Sequence, residues 1–280
     1  MIFVTGATGT VGRHVASELA DRDASVRLGL RRPDRVPNGL APSGDVVTFD
    51  FEQPETWGRA LDDVDRLFLL RPPGVDASTI GAFAEAAARV GVEHVVYLSG
   101  YGAGRNPLNP HFWSERRIVA ADIDHTLLRA AYFAQNLAEV HRTDVVERDE
   151  IFVPAGDGEA SFVDARDVGA VAATALTEPG HANRAYDVTG PAALDFDQVA
   201  TIFSDVLGRE ITYPDPSLRE FVRRTRQRGT STGYLLLLSS IYTAIRLGFA
   251  GRVSGDAERI LGREPRRLAT FVEDYAEEFR

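Results

Sequence analysis

The apolar tripeptide Ile2-Phe3-Val4 runs directly into Thr5-Gly6-Ala7-Thr8-Gly9-Thr10-Val11-Gly12, after which Val15, Leu19 and neighbouring alanines follow a helical period. The segment reads as strand, glycine turn and helix. Further strand-like runs stand at residues 25–30, 46–49, 65–70, 93–98 and 125–128, with helical segments near 55–61 and 80–90. Strands alternating with helices imply a parallel sheet. Runs such as Leu67-Phe68-Leu69-Leu70 and Val95-Val96-Tyr97-Leu98 lack polar alternation, as strands covered on both faces do.

The expected fold is therefore α/β, a Rossmann-type doubly wound parallel sheet. Beyond about Asn136 the pattern is less regular, with a strand near 151–153, a helix over 166–176, a strand over 184–188 and helices thereafter. This predicts a dinucleotide-binding core over residues 1–135, to which later segments such as 151–190 contribute. A smaller, mostly helical lobe over 136–280 is expected to set substrate specificity, with a discontinuous boundary. The apolar stretch Tyr234 to Ala250 is interrupted by Ser239, Ser240, Thr243 and Arg246 and sits at the lower edge of spanning length. A buried helix or pocket wall is expected there rather than a membrane span.

Glycines at 6, 9 and 12 form G-x-x-G-x-x-G between the first strand and helix. One permits a tight turn, one lets the backbone approach a pyrophosphate, and one lets the helix pack closely on the sheet, while the helix start adds partial positive charge. Gly6, Thr8, Gly9, Thr10, Val11 and Gly12 are thus expected to hold a nicotinamide dinucleotide. At the end of the second strand Val26-Arg27-Leu28-Gly29-Leu30 leads into Arg31-Arg32, with no acid to bond a ribose 2′-hydroxyl. Two guanidiniums at that corner favour a 2′-phosphate, hence NADP(H) over NAD(H). Asp50-Phe51, after the third strand, either contacts the adenine or, through Asp50, caps the next turn.

Composition removes other classes. A net charge of -10 gives no broad positive field, so no nucleic-acid partner is expected. There is no cysteine, which excludes disulfides, thiolate nucleophiles and Cys-ligated metals. All 31 basic residues are arginines, which excludes Schiff-base lysines and a lysine acting on a tyrosine. His14, His94, His125, His141 and His181 show no paired metal-ligand spacing, so no metal is expected. Nothing before or after Ile2 resembles a signal peptide, and a cytoplasmic monomer or homodimer is the expectation.

With these residues laid out, the chain resembles the NmrA-like family of atypical short-chain dehydrogenase/reductases, which includes NAD(P)H-binding quinone reductases and redox-sensing regulators. The likeness runs through the glycine turn, Tyr97-Leu98-Ser99-Gly100-Tyr101-Gly102-Ala103, Thr126-Leu127-Leu128-Arg129 with Tyr132-Phe133 and Asn136, and Phe162-Val163-Asp164-Ala165-Arg166-Asp167-Val168. It continues through Tyr186-Asp187-Val188-Thr189-Gly190-Pro191 and Val206-Leu207-Gly208-Arg209 to Leu261-Gly262-Arg263-Glu264-Pro265-Arg266. The resemblance implies that Leu70, Arg71 and Pro72 pass close to ribose and nicotinamide and that Ser99 to Ala103 border nicotinamide and substrate. Ser99, Gly100 and Tyr132 thereby join the cofactor-binding candidates. Asp164, Asp167 and Asn136 equally suit capping or buried-backbone roles.

Typical short-chain dehydrogenases use a Ser, a Tyr and a Lys four residues after that Tyr. Here the corresponding helix reads His111-Phe112-Trp113-Ser114-Glu115-Arg116-Arg117, so that triad cannot form. Hydride transfer itself needs no protein acid. Tyr101, His111 and Ser99 are the catalytic candidates, with packing as the alternative role of Tyr101 and His111. The expected function is an NADP(H)-dependent oxidoreductase acting on a small apolar or aromatic quinone, enone or carbonyl compound. A non-catalytic NADP(H) sensor and a cofactor-bound epimerase or cyclase stand as alternatives.

Overall fold

The structure, a computed structural model, describes residues 1–33 and 45–280. Among these the chain runs β1 (Ile2–Val4), α1 (Gly12–Ala20), β2 (Val26–Leu30), β3 (Asp45–Thr48), α2 (Trp57–Ala60), β4 (Arg66–Leu70), α3 (Ala77–Arg89), β5 (His94–Gly100), α4 (Phe112–Ala120), β6 (Asp124–Ala130), β7 (Tyr132–Phe133), α5 (Gln135–Glu139), α6 (Arg142–Arg148), β8 (Ala160–Val163), α7 (Ala165–Thr177), β9 (Arg184–Val188), β10 (Ala193–Leu194), α8 (Phe196–Leu207), α9 (Leu218–Gln227), α10 (Thr232–Arg246), α11 (Asp256–Leu261) and α12 (Leu268–Asp274).

Seven strands form one sheet in the order β3-β2-β1-β4-β5-β6-β9. Every pairing in it is parallel, with Val4 of β1 opposite Leu28 on one side and Phe68 on the other. The order reverses between β2-β1 and β1-β4, which is the switch point where ligands of such sheets bind beyond the carboxyl ends of the strands. The doubly wound Rossmann-type expectation is met.

Two compact units share the chain. The first comprises Met1–Ala130, Ala165–Val188 and Asp256–Arg263, and the second Ala131–Asp164, Thr189–Gly255 and Glu264–Arg280. In the first unit, α3 buries Ile80, Phe83, Ala84 and Ala87, the spacing of one helical face. Phe83 meets Phe49, Phe51 and Trp57 at ring-centroid distances of 5.0, 5.5 and 5.2 Å, in tilted and edge-on geometry. Emptying such a site by Phe→Ala costs about 3–5 kcal/mol. Helix α7 is buried almost all round, and its Ala- and Gly-rich sequence suits that position, since a Cβ at Gly169 would stand 2.6 Å from the His14 Cβ of α1.

The second unit holds a small sheet in which β8 lies between β10, antiparallel, and β7, parallel. Its core gathers Tyr132, Phe152, Phe162, Phe196, Phe203, Phe221, Tyr242 and Phe271. Helices α8 and α9 both start with capping boxes, Asp195 with Gln198 and Ser217 with Glu220. Helix α10 buries Leu235, Leu238, Tyr242 and Ile245 and leaves Leu236 exposed. No helix among the described residues is long and apolar enough to cross a membrane.

One expected strand is absent. Residues 151–153 are buried but form no ladder; Ile151 N bonds Thr212 O at 2.8 Å beside a single bridge between Glu150 and Thr212. The strand of this region is β8. An apolar triplet signals burial, and burial was obtained there without pairing.

Candidate active site

The glycine turn leaves β1 at the switch point. Gly6 has φ +62°, a left-handed conformation natural to glycine, and a Cβ there would lie 2.6 Å from Leu70 Cδ2. A Cβ on Gly12 would collide with the Gly6 carbonyl, while Gly9 N bonds that same oxygen at 2.9 Å. Thr5 Oγ1 donates to Phe68 O at 3.0 Å and accepts from Leu70 N at 3.1 Å, pinning the turn to β4. No side chain caps α1, whose N-cap residue is Val11. The amides of Val11 and Gly12 find no acceptor among the described residues, so the helix start is left open to an anion. Thr8 and Gly9 form the exposed tip, and Thr10 is half-buried. These residues fit the pyrophosphate of a dinucleotide.

Arg31 and Arg32 follow β2 directly and are exposed, with no ion pair to either among the described residues. Asp50 Oδ1 accepts Glu52 N at 3.0 Å, closing a turn. Phe51 is buried, its ring 4.8 Å from that of Phe49, so its side chain belongs to the core. After β4, Arg71 donates to Val75 O at 2.6 Å and to Pro110 O at 3.1 Å, and Pro72 O accepts Val75 N at 3.2 Å. Arg71 thereby ties this loop to the residue preceding His111.

At the end of β5 two polar side chains meet α4. Tyr97 OH lies 2.8 Å from His111 Nδ1, and Ser99 Oγ donates to Glu115 Oε1 at 2.6 Å. Tyr97 and Ser99 are two apart on a strand, His111 and Glu115 four apart where the chain enters a helix, so both pairs come from one face of each element. Glu115 is buried and is gripped by Arg129 of β6, Nε to Oε1 at 3.0 Å and Nη2 to Oε2 at 2.8 Å. A Cβ on Gly104 would collide with that guanidinium. The bond to Glu115 raises the Arg129 pKa above its ordinary value.

Gly100 lies against the imidazole, since a Cβ there would be 3.3 Å from His111 Cδ2. Tyr101 is half-buried, and its amide donates to Ala130 O at 2.9 Å. Asn109 donates to Tyr101 O at 3.0 Å and accepts the His111 amide at 2.9 Å, holding the two candidates in one loop. Burial and then the Arg71 charge push the His111 pKa down to about 4, against the opposing pull of Glu115. Burial raises the Tyr97 pKa well above its ordinary value. Tyr132 lies in the second unit, its hydroxyl 3.3 Å from that of Tyr242.

The first unit thus brings together Ser99, Gly100, Tyr101 and His111 on one loop-and-strand cluster, and Gly6 with Leu70 on another. Tyr97, Glu115, Asn109 and Arg129 were not singled out from sequence; the i, i+2 and i, i+4 spacings were the available signal. Among the described residues no group of carboxylates and histidines could hold a metal.

A parallel sheet in this order, with a glycine turn and an uncapped helix start at its switch point, defines a dinucleotide-binding Rossmann-type protein. The chain belongs to the NAD(P)H-binding family, whose model it matches over residues 6–179. It is 30% identical over 284 residues to the NAD(P)H azoreductase of Xenophilus azovorans, covering 100% of this chain and 99% of that one. It is 26% identical to quinone oxidoreductase 2 of Escherichia coli (strain K12), covering 97% of both. Among solved structures it is similar to the Citrobacter sp. triphenylmethane reductase complexed with NADP(H), with TM-score 0.85, 26% identity and 98% and 99% of the two chains covered. The resemblance to atypical short-chain dehydrogenase/reductases is borne out.

Proposed function

We propose that the protein is an NADP(H)-dependent reductase acting on a small, flat, largely apolar quinone, enone or carbonyl compound, without a Tyr/Lys pair. The observation that carries this reading is the placement of the half-buried His111 and Tyr101 at the carboxyl end of β5, in the sheet whose β1 turn fits a pyrophosphate. Relatives named for reducing azo compounds, quinones and triphenylmethane compounds support flat aromatic acceptors. When bound, the dinucleotide supplies the hydride. The turn amides at Val11 and Gly12 bind its phosphates, Arg31 and Arg32 receive the 2′-phosphate, and Arg71 holds the β4 loop against the loop of His111. His111 and Tyr101 polarise the acceptor.

The test is purified protein with NADPH and a panel of quinones and aromatic ketones, followed by the absorbance of the reduced nicotinamide. Turnover on at least one acceptor is expected. Tight binding without turnover on any would favour a non-catalytic sensor, a reading to which one observation lends weight: the Ser99 hydroxyl proton is engaged by Glu115. Cofactor choice has its own test. Arg31→Ala with Arg32→Ala is expected to weaken NADPH by roughly 10- to 100-fold, the scale of one or two charge-assisted bonds. Equal losses for NADPH and NADH would remove the 2′-phosphate role.

A further inference from the structure

We infer that Tyr97 is a positioning residue that fixes His111 as its Nε2–H tautomer, so that the imidazole presents a neutral N–H donor, and no lone pair, at the carboxyl end of β5. The catalytic consequence rests on the reductase reading; the tautomer itself does not.

The argument starts from the phenol. Tyr97 is 0% exposed, so its hydroxyl proton has no water to bond and needs an acceptor within the protein. The His111 Nδ1 stands 2.8 Å away. Ser114, buried on the first turn of α4, is near enough to favour the ionised phenol slightly but lies outside regular hydrogen-bonding geometry. The well-formed bond is therefore the one to the imidazole, and an undonated phenol proton in that position would be costly.

Which partner donates follows from the phenol, whose proton has no other well-formed acceptor, once both groups are uncharged. Burial keeps the phenol protonated and the imidazole neutral. The charged groups acting on the ring are Arg71, from the loop after β4, and Glu115, from the next turn of α4; Arg71 is the stronger, and Glu115 is already clamped by Arg129. A neutral imidazole has one donor and one acceptor nitrogen. With Nδ1 accepting from Tyr97, the proton resides on Nε2.

The ring is also fixed in place. Its backbone amide is held by Asn109 and its Cδ2 edge lies along Gly100, where no side chain intrudes. Nε2 is the ring atom next to Cδ2. It makes no hydrogen bond within the described protein and is not sealed from solvent. A neutral N–H held this way can donate to an acceptor oxygen that gains negative charge, without passing through an imidazolium. Tyr97 would act only through the ring, by deciding which nitrogen faces outward.

Long-range proton–nitrogen NMR of 15N-histidine-labelled full-length protein at neutral pH reads the tautomer directly, with the His111 signal assigned by its loss in His111→Gln. The wild type is expected to show a protonated Nε2 and a bare Nδ1. Tyr97→Phe is expected to mix the tautomers and lower kcat on the order of tenfold while the KM for NADPH stays unchanged, a split that general loosening would not give. A wild-type signal with the proton on Nδ1 overturns the inference, as does Tyr97→Phe with tautomer and kcat intact. Absence of turnover on every acceptor would sink the reductase reading and leave the tautomer assignment standing.

Discussion

His111 and His141 each bond a buried tyrosine, the first through Nδ1 to Tyr97 at 2.8 Å and the second through Nε2 to Tyr242 at 2.6 Å. Burial pushes both imidazoles down to about 4. They differ in what surrounds the rest of the ring. His141 is 1% exposed and sits within a unit whose aromatic core includes its partner and Tyr132. His111 is half-buried, and Gly100 at the end of β5 makes room for one ring edge. The same chemical pair is thus enclosed in one unit and left with an open ring edge in the other, and exposure of that second edge is the feature that separates them.

That contrast can be broken by exchanging the readouts. His111→Gln is expected to lower kcat by on the order of 10²–10⁴-fold, the range for a lost acid–base or polarising group, with little change in melting temperature. Calorimetry alongside turnover checks it, and a variant that melts early but turns over normally would make His111 structural. His141→Ala should do the reverse, costing about 3 kcal/mol from the cavity and the hydrogen bond lost to the Tyr242 hydroxyl, with kcat of the folded fraction unchanged; chemical denaturation gives the number.

A finer test uses acid. The folded His141 lies below its unfolded value of 6.5, so its contribution is complete above pH 6.5 and is lost as pH falls toward about 4, where only the unfolded imidazole takes up a proton. The loss is about 3 kcal/mol at most for each ring, since both lie at about 4, and His141→Phe and His111→Gln should each flatten the stability-against-pH curve in that window to a similar extent. The smallest effect is expected of Tyr242→Phe, about 2 kcal/mol for the two neutral hydrogen bonds its hydroxyl shares with His141 and Tyr132, measured by the shift in denaturant midpoint.

Sequence carried the parallel sheet well, because the central strands β1, β4 and β5 are short, largely apolar runs; residues 184–188, of mixed polarity, also coincide with the edge strand β9. It did not carry β7 and β10, which are two residues long and have no period to read. At the candidate site the glycine turn was legible because its constraint is local. The partnership of Ser99, Glu115 and Arg129 was not, since it joins β5, α4 and β6, and sequence gives no register between elements. Tyr97 was hidden by its own setting, as one more large residue in an apolar strand.

The first unit is assembled from three stretches of chain, and this governs how it can come into being. A nascent polypeptide ending at Ala130 presents the flank of β6 with bare amides and carbonyls, an open template for mispairing. Its partner β9 arrives only after the ribosome has made residues 131–183, and α7, which covers α1, shortly before it. Cutting the gene at any single point before residue 184 therefore leaves β6 without its neighbour, whereas a version that joins the three stretches through short linkers keeps every strand of the sheet.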